Sequence, residues 1–343
     1  MVNVRQRGEQ LRRFILENLQ QHPADIAKLA ADQFHITRQA VNKHLDKLVD
    51  QGAVTAEGTT RSRVYRLAPL LEWQHTLLLG TSLAEDVVWR EHVRDALGQL
   101  PDNVSRIWHY AFTEMFNNVL DHSAGTSVTL RLQKTAVSTE MLILDDGVGI
   151  FRKIQAALRL LDERHSVLEL AKGKFTTDPA HHTGEGIFFT SRALDRFVIL
   201  SGGVYFSHEH GDEADWILEV TSPSVGTAVL MRLHNHTSRT LSSVFDQFMS
   251  EGDLGFTKTV VPVRLAQYGD ESLLSRSQAK RLLARVDRFR TVLFDFDGVG
   301  SIGHSFADEI FRVFRNEHPE ISLGAINANP DVQAMIRRAQ AAQ

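Results

Sequence analysis

The stretch Tyr110-Ala-Phe-Thr-Glu114-Met-Phe-Asn-Asn118-Val-Leu-Asp-His122 decides how the middle of this chain is read. Ala111, Phe112, Met115 and Val119 recur at helical spacing, which predicts an amphipathic helix over 103–121. Glu114 and Asn118, four residues apart, then share one face of it. A carboxylate so placed can act on a water as general base, and a carboxamide oxygen can hold a magnesium ion. Such a pair is commonplace on helix surfaces, so its meaning depends on the rest of the chain.

Downstream, Met141-Leu-Ile-Leu-Asp145-Asp-Gly147-Val-Gly149 reads as a short apolar strand ending in a carboxylate and two glycines. Glycine lets backbone approach a flat ring, and a carboxylate there can accept an exocyclic amine. Thr183-Gly184-Glu-Gly186-Ile187 precedes a helix-like run from Phe188 to Asp195. Glycines at the mouth of a helix present free N–H groups to phosphate. Last, Gly226-Thr227 sets a hydroxyl at the head of the apolar strand Ala228 to Leu233.

In order and spacing these four elements resemble the N, G1, G2 and final-strand boxes of the GHKL superfamily, which includes sensor-kinase ATPase domains, anti-sigma-factor kinases, gyrase B and MutL. The resemblance implies a Bergerat two-layer α/β sandwich over residues 70–238 that binds ATP with Mg2+. It implies Glu114 as the catalytic, water-activating residue, Asn118 as the magnesium ligand and Asp145 as the partner of adenine. Gly147 and Gly149 become the adenine-side loop, Gly184 and Gly186 with Thr183 the phosphate loop, and Thr227 a partner of Asp145. Asp121 and His122 fall near the phosphates. The stretch from Ile150 to His182 becomes the ATP lid, with Lys172 and Lys174 available to phosphate. Strands are expected near 126–134, 137–145, 197–206, 215–221 and 227–233, against helices at 85–99, 103–121 and 185–195.

A histidine kinase would need a phosphoacceptor histidine well upstream on a separate dimerisation helix. Only His75 and His92 lie nearby, and His92 is too close to Glu114, so both read as ordinary histidines. His208-Glu-His210-Gly-Asp212 and His234-Asn-His236 lack the helical spacing or third ligand of a zinc site and read as solvated loops.

Residues 1–68 hold eleven Lys/Arg against seven Asp/Glu, whereas the whole chain has a net charge of -4. Leu11, Phe14, Ile15 and Leu19 predict one helix, the run after Pro23 a second, and Arg38 to Asp50, capped by Thr37, a third. The polar face of the third carries Arg38, Gln39, Asn42 and Lys43, donors able to meet base edges and phosphates in a major groove. A hairpin follows, with Arg61 and Arg63 near its tip. Helices and hairpin in this order resemble a winged helix-turn-helix domain, which implies DNA as a partner and a homodimer reading paired half-sites.

Residues 255–343 alternate strand and helix, which predicts a small α/β domain. Phe294-Asp-Phe-Asp-Gly298 has the form of a phosphatase nucleophile motif, but only 45 residues follow Gly298, too few for the later strands that such chemistry needs. The stretch Val292 to Glu309 resembles a bacterial STAS-like domain of unknown function and, more distantly, anti-anti-sigma factors. That similarity implies a protein partner, with Ser301 or Ser305 as phosphorylation candidates.

The fold class expected is thus multidomain α/β (α+β): a winged helix, a Bergerat sandwich and a STAS-like domain. Hydrophobic content of 43% with 23% charged residues is globular. No apolar run approaches the roughly 20 residues of a membrane span. No secretion signal is evident, so a cytoplasmic location is expected. The absence of cysteine excludes disulfides, thiol nucleophiles and cysteine-ligated metals. The function expected is an ATP-binding, and by resemblance ATP-hydrolysing, regulator that couples nucleotide state to DNA or a partner. A serine protein kinase acting on a STAS-like domain, and a scaffold with structural ATP, are the alternatives.

Overall fold

The computed structural model describes residues 4–59, 62–80, 83–175, 184–211, 215–249, 255–267 and 272–341. It opens with three helices, α1 (Val4–Asn18), α2 (Ile26–Phe34) and α3 (Arg38–Asp50), followed by an antiparallel hairpin of β1 (Val54–Glu57) and β2 (Val64–Leu67). Helix α3 starts where Thr37 Oγ1 accepts the Ala40 N–H at 3.2 Å, a cap worth about 1 kcal/mol. Leu11, Ile15, Ile26, Val41, Leu45 and Val54 form an apolar cluster of their own, so this unit carries its own core.

The next segment contains β3 (Leu71–Leu78), α4 (85–97), α5 (Asp102–His122), β4 (Ser127–Lys134), β5 (Ser138–Asp145), α6 (Ile150–Leu158), α7 (Arg164–Lys172), α8 (Gly186–Ala193), β6 (Arg196–Glu209) and β7 (Trp216–His234). The strands form one antiparallel sheet in the order β3-β4-β5-β7-β6. Two expectations need correction. The strands expected at 215–221 and 227–233 are one continuous strand, β7, and β3 joins the sheet at an edge where none was expected. As an edge strand, β3 alternates only between half-buried and exposed positions, so its apolar signal is weak. The interval expected to be a lid contains two helices, α6 and α7.

Helix α5 owes its position to a continuous apolar stripe. Ile107, Trp108, Phe112 and Phe116 are fully buried, each large side chain contributing roughly 1.5–3 kcal/mol relative to exposure. This stripe faces the sheet and α8, leaving Glu114 and Asn118 half-buried on its flank.

The C-terminal segment contains α9 (Leu241–Phe245), β8 (Lys258–Pro262), α10 (Arg276–Leu283), β9 (Thr291–Asp295), α11 (304–317), β10 (Ser322–Ile326) and α12 (Pro330–Ala341). Its three strands are parallel, in the order β10-β9-β8, with helices in the crossovers. One apolar cluster runs from Val88 to Ala339 and so unites the antiparallel and parallel sheets. Phe256 joins them, its ring 4.6 Å from Phe188 and 5.1 Å from Phe289. Helix α7 lies at this junction with every residue from His165 to Lys172 buried, as expected of a helix covered on all sides. Among the described residues, no helix is long and apolar enough to cross a membrane.

Candidate functional site

Four separated segments meet around a cavity of 260 Å³, slightly below the roughly 300–1,000 Å³ usual for small-molecule sites. Helix α5 contributes Glu114, Asn118 and His122; the end of β5 contributes Asp145; the entry to α8 contributes Gly184 and Gly186; β7 contributes Thr227. Ile150, Ile154, Ile199 and Val229 supply apolar wall.

Asp145 is buried at 5% exposure, and its Oδ1 accepts the N–H of Gly147 at 2.9 Å and of Thr227 at 3.2 Å. Burial pushes its carboxyl above the usual carboxylate range, while those two N–H groups oppose the shift. Thr227 Oγ1 accepts the Ile150 N–H at 3.0 Å, which ties the start of α6 to the start of this part of β7. Asp146, next in sequence, faces the other way. Its carboxylate accepts from the N–H and hydroxyl of Thr126 and of Ser127, four bonds that hold it far below the usual range and make it a structural clamp on β4. Gly226, at φ +72°, adopts the left-handed region beside Asp145, and a Cβ there would run into the Asp145 carbonyl.

On α5, the carboxylate of Glu114 lies against Gly186 at the first turn of α8, where a Cβ would collide with it. Only glycine lets carboxylate and helix mouth come this close. Asn118 makes no side-chain hydrogen bond among the described residues, so its carboxamide is open to the cavity. Tyr110, one turn before Glu114, has its phenol pushed well up by burial and by the charges of Glu114 and Glu185. Burial also raises Glu185, against the opposing charge of Lys174.

Asp121 is exposed and outside the cavity lining, its charge acting on Lys153. Gly149 serves through backbone, capping α6 at φ +88°. Thr183 and Arg61 lie outside the described residues. The two lysines expected to meet phosphate are committed elsewhere. Lys172 is 1% exposed; its Nζ donates to Glu169 Oε1 at 2.7 Å, to the Arg281 carbonyl at 3.0 Å and to the Ala284 carbonyl at 2.9 Å. Lys174 Nζ donates to the Arg288 carbonyl at 3.2 Å and lies over the rings of Phe256 and Phe289. Both ammonium groups thus turn to the C-terminal segment, where backbone carbonyls at and after the end of α10 accept from them.

The lysine that does line the cavity is Lys153, on α6, with Nζ 2.9 Å from the His122 carbonyl. The resemblance does not single it out, because it makes the whole interval from Ile150 to His182 a lid. The signal was present: Ile150 and Ile154 stand one helical turn apart, with Lys153 beside them.

In the N-terminal unit, Arg38, Gln39, Asn42 and Lys43 are exposed along one stretch of α3. Arg63 turns back onto that helix, its Nη1 3.6 Å from Asp46 Oδ1 and its guanidinium 5.2 Å from the Tyr65 ring centre.

Residues 278–333 match the STAS-like domain of unknown function (DUF4325), which covers α10 to the start of α12. No curated protein matches the chain. The match assigns kinship to the C-terminal segment alone.

Proposed function

We propose that the cavity under α5 is a GHKL-type site for Mg-ATP and that the protein is an ATP-responsive regulator whose N-terminal unit holds DNA as a winged helix. The observation that carries this is the convergence of Glu114, Asn118, Asp145, Gly186 and Thr227 on one cavity from four segments. The donor set fits the nucleotide. A buried carboxylate among isoleucines and a valine suits a flat base with an exocyclic amine, and an unbonded carboxamide beside a carboxylate suits a phosphate-bound cation. When bound, the magnesium ion neutralises charge on the phosphates. Glu114 takes the proton of an attacking water, and its contact with Gly186 fixes it at the mouth of α8, where N–H groups face anions. Lys153 supplies positive charge from the α6 side in place of Lys172 and Lys174.

Calorimetric titration of the full chain with Mg-ATP, with phosphate release followed in parallel, tests the site. Asn118→Ala and Asp145→Asn are expected to lose binding about tenfold or more, and Glu114→Ala to retain binding but lose release about a hundredfold. Absence of binding in the intact protein sinks the proposal. Repeating the titration with duplex DNA tests the coupling, because a nucleotide that alters DNA affinity must have its own affinity altered by the same factor. Identical curves with and without DNA leave ATP and DNA uncoupled.

A further inference from the structure

A second cavity, of 450 Å³, opens at the junction of the two sheets, away from the site under α5. It lies at the carboxyl ends of the parallel strands β8 and β9, whose last residues, Pro262 and Asp295, both line it. That position is where open α/β sheets accept ligands. Asp295 and Asp297, from a motif too short in its context for phosphatase chemistry, line it together with Arg192 and Arg264, the latter lying beside Gly298.

The hydrogen bonds divide these charges into used and unused. Asp215 is taken by His208, at 2.6 Å, and Arg239 by Asp195 and the Ala193 carbonyl. Arg192 forms no salt bridge among the described residues, although the charge of Asp215 acts on it: its Nη1 donates to Ser191 Oγ at 2.7 Å, and its guanidinium stacks 4.1 Å from the Phe188 ring centre. Arg264 stacks over Trp216 at 5.0 Å and donates to the Asp215 carbonyl. Asp295 Oδ1 accepts the Asp297 N–H and the Asn327 amide, each at 3.0 Å. The carboxylate of Asp297 has no partner among the described residues. Two guanidinium groups and two carboxylates thus line one cavity, with no ion pair between Arg192 or Arg264 and Asp295 or Asp297 among the described residues.

We propose that this cavity binds a small zwitterion, its carboxylate or phosphate monoester on Arg192 and Arg264 and its ammonium on Asp295 and Asp297. Guanidinium groups favour planar, multiply accepting anions. The two carboxylates suit an organic ammonium, whose N–H groups donate to them in charge-assisted hydrogen bonds. A ligand with both groups neutralises two half-buried charges at once, which neither half can do.

The probes are ω-amino acids from glycine to aminohexanoate, the carboxylate-only and amine-only analogue of each length, and phosphoethanolamine, titrated against the full chain by ligand-observed NMR. At the best length the zwitterion is expected to bind roughly tenfold or more above either half. Arg192→Gln should reduce it to the level of the amine-only analogue, and Asp297→Asn to that of the carboxylate-only analogue. Circular dichroism confirms that each variant is folded; if Arg192→Gln is not, the Asp297→Asn comparison decides alone. Preference for phosphoethanolamine over aminocarboxylates assigns the anionic end to phosphate, and the reverse to carboxylate. Equal binding of zwitterion and half, unchanged binding in a folded variant, or no binding by any probe overturns the proposal.

Discussion

Asp145 and Lys172 are both ionisable side chains removed from water, at 5% and 1% exposure, yet their surroundings differ in kind. Lys172 is enclosed by protein, its Nζ meeting one carboxylate and two carbonyls. Asp145 is held from one side by two backbone N–H groups and from the other meets a cavity. A buried charge with all its partners inside the protein organises packing. One that borders open space, framed by glycines, has surroundings that a ligand can complete.

The largest expected effect falls on the packed charge. Lys172→Met leaves Glu169 buried with Arg285 as its remaining cation among the described residues, Nε 3.8 Å away, and should destabilise the protein by about 3 kcal/mol or more in denaturant unfolding. The double variant Glu169→Leu/Lys172→Met should recover most of that loss, since an apolar pair can replace a buried ion pair. A single-variant cost well under 1 kcal/mol would remove the distinction between the two regions.

On the cavity side, stability and activity should part company. Gly186→Ala pushes the Glu114 carboxyl group aside and crowds its Cβ at 3.3 Å, a contact that small shifts can relieve, so unfolding should shift by only about 1 kcal/mol. Phosphate release from Mg-ATP should fall about a hundredfold, with ATP affinity changed much less. A variant that turns over like the parent would show that the contact between Glu114 and Gly186 has no part in the chemistry.

The smallest effect is a pH dependence. Burial raises Asp145 in the folded state, so the folded protein keeps this proton to higher pH than the unfolded chain does. The associated stability is complete below the ordinary value near about 3.9 and is lost as pH rises through the folded value. Asp145→Asn does not titrate. The stability of the parent minus that of the variant should therefore decline with rising pH across this window and be flat above it. A difference that grows with pH would reverse the assigned cause.

Much of this was legible along the chain wherever a residue's neighbours in space are also its neighbours in sequence. The helical spacing of Ala111, Phe112, Met115 and Val119 located α5 and set Glu114 and Asn118 on one flank; Thr37 marked the start of α3; glycines marked the sharp turns at the cavity rim. Those properties follow from backbone geometry and local side-chain periodicity, which any segment carries with it. Tertiary structure alone decided where long, flexible side chains ended. It drew Lys172 and Lys174 to carbonyls more than a hundred residues away, brought Lys153 to the cavity in their place, and paired the weakly patterned β3 with β4. It also brought Asp297 and Arg192 to one cavity. A charged group takes its partner from whatever the fold brings within reach, and that depends on the packing of the whole chain.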